Sequence, residues 1–216
     1  MLNFFRRKVG PPVPDLPVAF GTECGWLTIR SASVLEVALA LRLRRTEAAN
    51  WAGGLQRAYA GDMFVSPAVA SWVLAISDHL PKAGRKGSPD RLSPLLVRLS
   101  RRFGEAQLFE THRMVEYHAW AKAQHGQIVR AFAYSGETGA TLWNIGPQTP
   151  EEIALGFNFF DEASPEAASA GSWRRTDLSY PNEESVLAIA RRWSVDTSFS
   201  GGPYSPDVGV VGVFRS

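Results

Sequence analysis

The stretch "AQLFETHRMVEYHAWAKAQHGQIVRAFAYSGETGATLWNIG", Ala106 to Gly146, decides the fold class. Two glycine-bearing turns divide it, QHGQ at 124–127 and SGETGA at 135–140. Glycine supplies the positive φ that a tight turn demands, so the stretch reads as an antiparallel meander of three strands. Alternate residues of a strand share a face. Glu110, His112, Met114, Glu116, His118 and Trp120 should therefore point one way, and Thr111, Arg113, Val115, Tyr117 and Ala119 the other. A two-residue turn at His125 and Gly126 would set Trp120 opposite Ala131, His118 opposite Ala133 and Glu116 opposite Ser135. Tyr117, Phe132, Tyr134 and Trp143 would then line the more apolar face.

Working outward, helices flank this sheet. Ser33 and Glu36 have capping-box spacing, and Val34, Val37, Ala38 and Leu41 follow at helical intervals behind a strand at Trp26–Arg30. A second helix is expected over Thr46–Tyr59, weakened by Gly53 and Gly54. Two short strands should flank Ser66 and Pro67, the second running through Trp72–Ile76 without alternation and so covered on both sides. Further helices begin near Ser93, near Pro150 behind the Thr149/Glu152 capping box, and before the stripe Val186, Ile189, Ala190 and Trp193. A last strand fits "VGVVGVF". The expected fold is α+β, an antiparallel sheet with helices packed mainly on one face. Residues 1–17 read as a flexible proline-rich arm and 18–216 as one domain, with 81–89 the candidate internal boundary.

Hydrophobic residues make up 45% of the 216, enough for a sizeable core, and seven tryptophans spread along the chain place that core throughout. One cysteine, Cys24, excludes an intramolecular disulfide and a cysteine-rich metal site, which fits a reducing compartment. After Arg6, Arg7 and Lys8 come prolines rather than the apolar run of a signal peptide, and no apolar segment has the length of a membrane helix. A cytoplasmic location without membrane contact is the expectation.

Charge is uneven: residues 1–103 carry 15 Lys and Arg against 7 Asp and Glu, and the remainder 8 against 14. Opposite halves favour a charged macromolecular partner or a head-to-tail self-contact between copies. Lys82, Arg85, Lys86, Arg91, Arg98, Arg101 and Arg102 could form a phosphate-contacting strip, but no aromatic residue between Lys82 and Arg102 is available to stack on bases, which weighs against nucleic acid.

Phosphate loops, dinucleotide fingerprints, HExxH and nucleophile elbows are absent from the sequence, so no cofactor is expected. The two Glu-x-His pairs, Glu110/His112 and Glu116/His118, are the chemically capable side chains. On one continuous strand the two histidines would stand about 20 Å apart and could not share a metal ion. Glu116 beside His118 could do acid-base work, which keeps a hydrolase as the alternative function. Cys24 reads as an inert thiol.

Taken together, "FVSPAVASWVLAIS", "LSRRFGEAQLFETHRMVEYHAWAKA", "IVRAFAYSGETGATLWNIG" and "RRWSVD" resemble a family of uncharacterised bacterial proteins over roughly Trp26–Asp196. That family is associated with polymorphic-toxin and contact-dependent secretion loci. The resemblance implies a cytoplasmic immunity protein that binds and blocks a cognate protein toxin, and it carries over no functional residue. Such a protein needs an exposed, charge-complementary surface. The candidates are the carboxylates Glu110, Glu116, Asp161, Glu162 and Glu166, with His118 beside them.

Overall fold

The computed structural model of the chain describes residues 10–83, 90–165, 167 and 179–215. Its elements in chain order are β1 (Cys24–Arg30), α1 (Val34–Ala40), β2 (Arg44–Ala49), α2 (Trp51–Ala58), β3 (Met63–Val65), β4 (Trp72–Ser77), α3 (Leu92–Phe103), β5 (Glu105–His112), β6 (Tyr117–Gln124), β7 (Gln127–Ser135), β8 (Ala140–Ile145), α4 (Pro150–Ala154), α5 (Glu183–Trp193) and β9 (Gly209–Val213). Among the described residues the strands form one sheet in the order β2-β9-β3-β4-β1-β5-β6-β7-β8, with every neighbouring pair antiparallel. The fold is α+β. β1 pairs on one side with β4, which precedes residues 81–89, and on the other with β5, which follows them. One sheet therefore contains both parts of the chain.

Helices cover both faces, where the sequence placed them mainly on one. On the first face Trp26, Phe109, Trp120 and Phe132 pack beneath Trp51 and Leu55 of α2 and Val186, Ile189 and Trp193 of α5. Trp26 stacks on Phe109 at 5.4 Å between centroids, and Trp120 on Phe132 at 4.7 Å. On the second face Leu27, Ile29, Val73 and Leu108 pack against α1 and α3. Ala119, Ala121, Ala131 and Ala133 lie on this side, and their small side chains let Leu95, Leu96 and Leu99 of α3 come close to the sheet. β4 is buried along its whole length, as its unbroken apolar run required. Among the described residues no helix is long and apolar enough to cross a membrane.

The expected helix over Thr46–Tyr59 is a strand followed by a helix. Asn50 breaks it: its backbone is extended and its side chain accepts the Gly53 amide, which starts α2 at Trp51. The Asp15 carboxylate takes the amides of Trp51 and Ala52, and Asn50 donates to the Val13 carbonyl at 2.9 Å. Within the stretch read as a flexible arm, Val13 and Asp15 are thus tied to the start of α2, while residues 1–9 lie outside the described residues. Gly54 is a packing residue rather than a weakness, since a Cβ there would sit 2.3 Å from the Phe64 ring. Gly54→Ala should lower stability in urea by about 1–3 kcal/mol through overpacking, despite alanine's helix advantage of about 1 kcal/mol.

The meander has four strands. Residues 113–115 form a single 3-10 turn and Glu116 is left-handed (φ 46), so the chain reverses between His112 and Tyr117. No glycine marks this turn, and that is why one continuous strand was expected. The turn at His125 and Gly126 does have two residues, but a bulge leaves Val129 without a partner on β6 and shifts the register by one. Trp120 consequently faces Phe132 and His118 faces Tyr134, so the expected aromatic face is split: Phe132 and Tyr134 share the His118 face, whereas Tyr117 and Trp143 pack on the α3 side.

Candidate functional site

The reversal at 113–116 reassigns the two Glu-x-His pairs. Glu110 and His112 lie on the α3 face: Glu110 pairs with Ala119, and its carboxylate meets His112 Nε2 at 2.9 Å. Glu110 is fully buried with Oε2 lacking a partner, and burial raises its pKa. It cannot belong to an exposed patch, which corrects the expectation for this residue. His118 points to the opposite face, where Thr111 Oγ1 lies 3.0 Å from its Nδ1.

His118 opens onto a groove of about 740 Å³ whose lining includes Arg113, Glu116, Tyr134, Glu162, Tyr180, Glu183 and Glu184. Two turn glycines seat two of the carboxylates. A Cβ at Gly136 would collide with the Glu116 side chain and one at Gly139 with that of Glu162, both at 2.2 Å. Backbone bonds fix the same contacts: Gly136 N donates to the Glu116 carbonyl at 2.8 Å, and Glu162 N to the Gly139 carbonyl at 2.8 Å. The SGETGA turn, read first as a chain reversal, is therefore also a mount for Glu116 and Glu162.

Glu183 and Glu184 come from the first turn of α5, behind the Asn182 cap, where the helix dipole favours negative charge. Glu183 Oε2 is buried without a partner. Sequence reading missed this pair because it appeared only as a helix start. Burial, then Glu162, Tyr180, Glu116 and Asp161, push the Tyr134 phenol up to about 12. Asp161 thus belongs to the same electrostatic neighbourhood. Glu166 lies outside the described residues. The groove's guanidinium is already engaged, since Arg113 pairs with Glu23 at 3.6 Å. Four carboxylates and two tyrosine rings converge on one open space.

Burial, with a smaller contribution from His112, pushes the His118 pKa down to about 4. The imidazole is neutral at pH 7. An unfolded histidine takes its proton near 6.5 and the folded one near 4, so the unfolded state binds more protons between those values. Stability should therefore fall as pH drops through that window. Urea titrations at several pH values should show this dependence, and His118→Gln should flatten it.

A Glu116–His118 relay would put the carboxylate on an imidazole nitrogen, but Thr111 holds Nδ1, and no hydrogen bond joins Glu116 to His118 among the described residues. No group of three His, Cys, Asp or Glu side chains there is placed to hold a metal ion. Cys24 is buried and its thiol is pushed up to about 12, which makes it inert. The basic strip does not form one surface: Arg91 and Arg98 line a cleft beside α1 and the others point elsewhere. Lys82 lies over Tyr117, Arg98 reaches the Ala40 carbonyl, Arg101 lies against Gly126 and Arg102 over Phe103. Arg85 and Lys86 lie outside the described residues. No protein-family model, curated protein or solved structure matches this chain.

Proposed function

We propose that this protein is a non-catalytic binding protein of the immunity type, which neutralises a cognate protein toxin by holding a basic segment of it in the acidic groove. The observation that carries this reading is the convergence of Glu116, Glu162, Glu183 and Glu184 around Tyr134 and Tyr180. A lysine or arginine entering the groove would exchange water for charge-assisted hydrogen bonds and for the faces of two tyrosines. It would also supply the missing donor to Glu183 Oε2. Like charges gathered in a concave site repel one another in the free protein, and a cation relieves that cost.

Two lines of support are separable. The cationic ligand follows from the groove, and the toxin follows from the resemblance of the sequence motifs. The test is to mix the purified protein with the product of the adjacent gene and follow association by calorimetry. A stoichiometric complex whose affinity falls with added salt is expected. Absence of a complex, or one indifferent to salt, would overturn the proposal.

A further inference from the structure

We infer that a second cleft, between α1, the start of α3 and the end of β9, binds the phosphate group of a small organic phosphate. It measures about 280 Å³, and Arg42, Arg91, Arg98 and Arg215 all line it. Among the described residues Asp90 is the single carboxylate of the lining, and its Oδ1 already accepts the amides of Leu92 and Ser93, each at 3.0 Å. The start of α3 is thereby satisfied from within the chain, which leaves Arg42, Arg98 and Arg215 as the groups that attract an anion. No ion pair joins Arg42, Arg98 or Arg215 to a carboxylate among the described residues.

Arg98 is drawn toward α1 by a bond from Nη2 to the Ala40 carbonyl at 3.4 Å. Partial burial, then the charge of Arg42, lower its pKa, so two like charges stand close with no ion pair to offset them among the described residues. Arg42 also has a left-handed backbone (φ 57), which glycine would adopt at less cost. Two like charges held close at one cleft point to an anionic ligand that offsets their repulsion.

The chemistry of the lining selects the ligand. Guanidinium forks match the several oxygens of a phosphate, and Arg42, Arg98 and Arg215 have no carboxylate partner among the described residues. Leu41, Leu95 and Phe214 add an apolar side, which favours a phosphate carrying an organic body over the free ion. The volume lies just below the roughly 300–1,000 Å³ typical of small-molecule sites, which suits one small ligand. α1 and α3 pack on the opposite sheet face from His118 and Tyr134, so this cleft is separate from the acidic groove and does not depend on the proposal made for it.

The test is calorimetric titration of the full chain with adenosine 5′-monophosphate at low salt, with inorganic phosphate as competitor. Binding of the nucleotide, displaced by phosphate, is expected. Arg98→Gln should weaken it by about tenfold, the loss of one charge-assisted hydrogen bond. Arg42→Gly should weaken it similarly while leaving thermal stability unchanged or higher, because the substitution removes the charge and the backbone strain together. No binding, or affinity unchanged in both variants, would overturn the inference. So would binding that phosphate fails to displace, which would put the affinity in the base. A single-stranded RNA oligonucleotide that binds where the mononucleotide does not would overturn it in favour of a polyanion site.

Discussion

Arg130→Ala should cost about 3–5 kcal/mol of folding stability, the expected penalty for leaving a buried charge without its partner. Arg130 and Glu152 have side chains only 4% and 1% exposed, and Arg130 Nε lies 2.9 Å from both carboxylate oxygens. Glu152 also accepts from Trp120 Nε1 at 2.8 Å and from the Thr149 amide at 2.7 Å. Arg130 Nη1 reaches Asn144 Oδ1 and the carbonyls of Ala131, Ile145 and Gly146. The pair thus joins β6, β7, β8 and α4. It also follows the Val129 bulge directly, so the same residue that anchors the network marks the place where the register shifts. Urea denaturation of Arg130→Ala checks the magnitude, and a loss below about 1 kcal/mol would mean that water reaches Glu152. Replacing both partners by apolar residues of similar volume should recover most of the loss.

Charge reversal in the groove should produce the largest effect on binding. Glu116→Lys or Glu162→Lys replaces an attraction for a basic segment by a repulsion. Each should weaken the complex with the adjacent-gene product by about 2 kcal/mol or more, roughly thirtyfold. Both side chains are exposed and lie against turn glycines, so folding stability should change little. Affinity unchanged in both variants, with the complex still formed, would remove the groove from the interface.

The periodic elements were legible in the sequence because burial imposes its period on them. The stripe of α5, the Thr149 start of α4 and the doubly covered β4 follow from spacing alone. What escaped was set by single residues whose effect is not periodic. Asn50 ends one element and begins another, Glu116 takes a left-handed turn without glycine, and Val129 is an extra residue that exchanges the faces of two strands. The last two explain why Glu110 was expected on the surface and is buried, and why His118 was expected opposite alanines and stands opposite Tyr134. The sequence offers Glu116, Asp161 and Glu162 as candidate carboxylates, and in the fold all three act on Tyr134. Glu183 and Glu184 join them only because α5 begins beside the 135–140 turn, a tertiary fact with no local signature.

We propose that recognition occurs at the acidic groove on the α5 face of the sheet. Hydrogen–deuterium exchange of the free protein and of its complex with the adjacent-gene product tests this most directly. Slower exchange on binding is expected in three separated segments, 113–118, 135–140 and 179–184, which meet only in the folded groove. Protection confined to α1 and α3 on the other face, with these three segments unchanged, would contradict it.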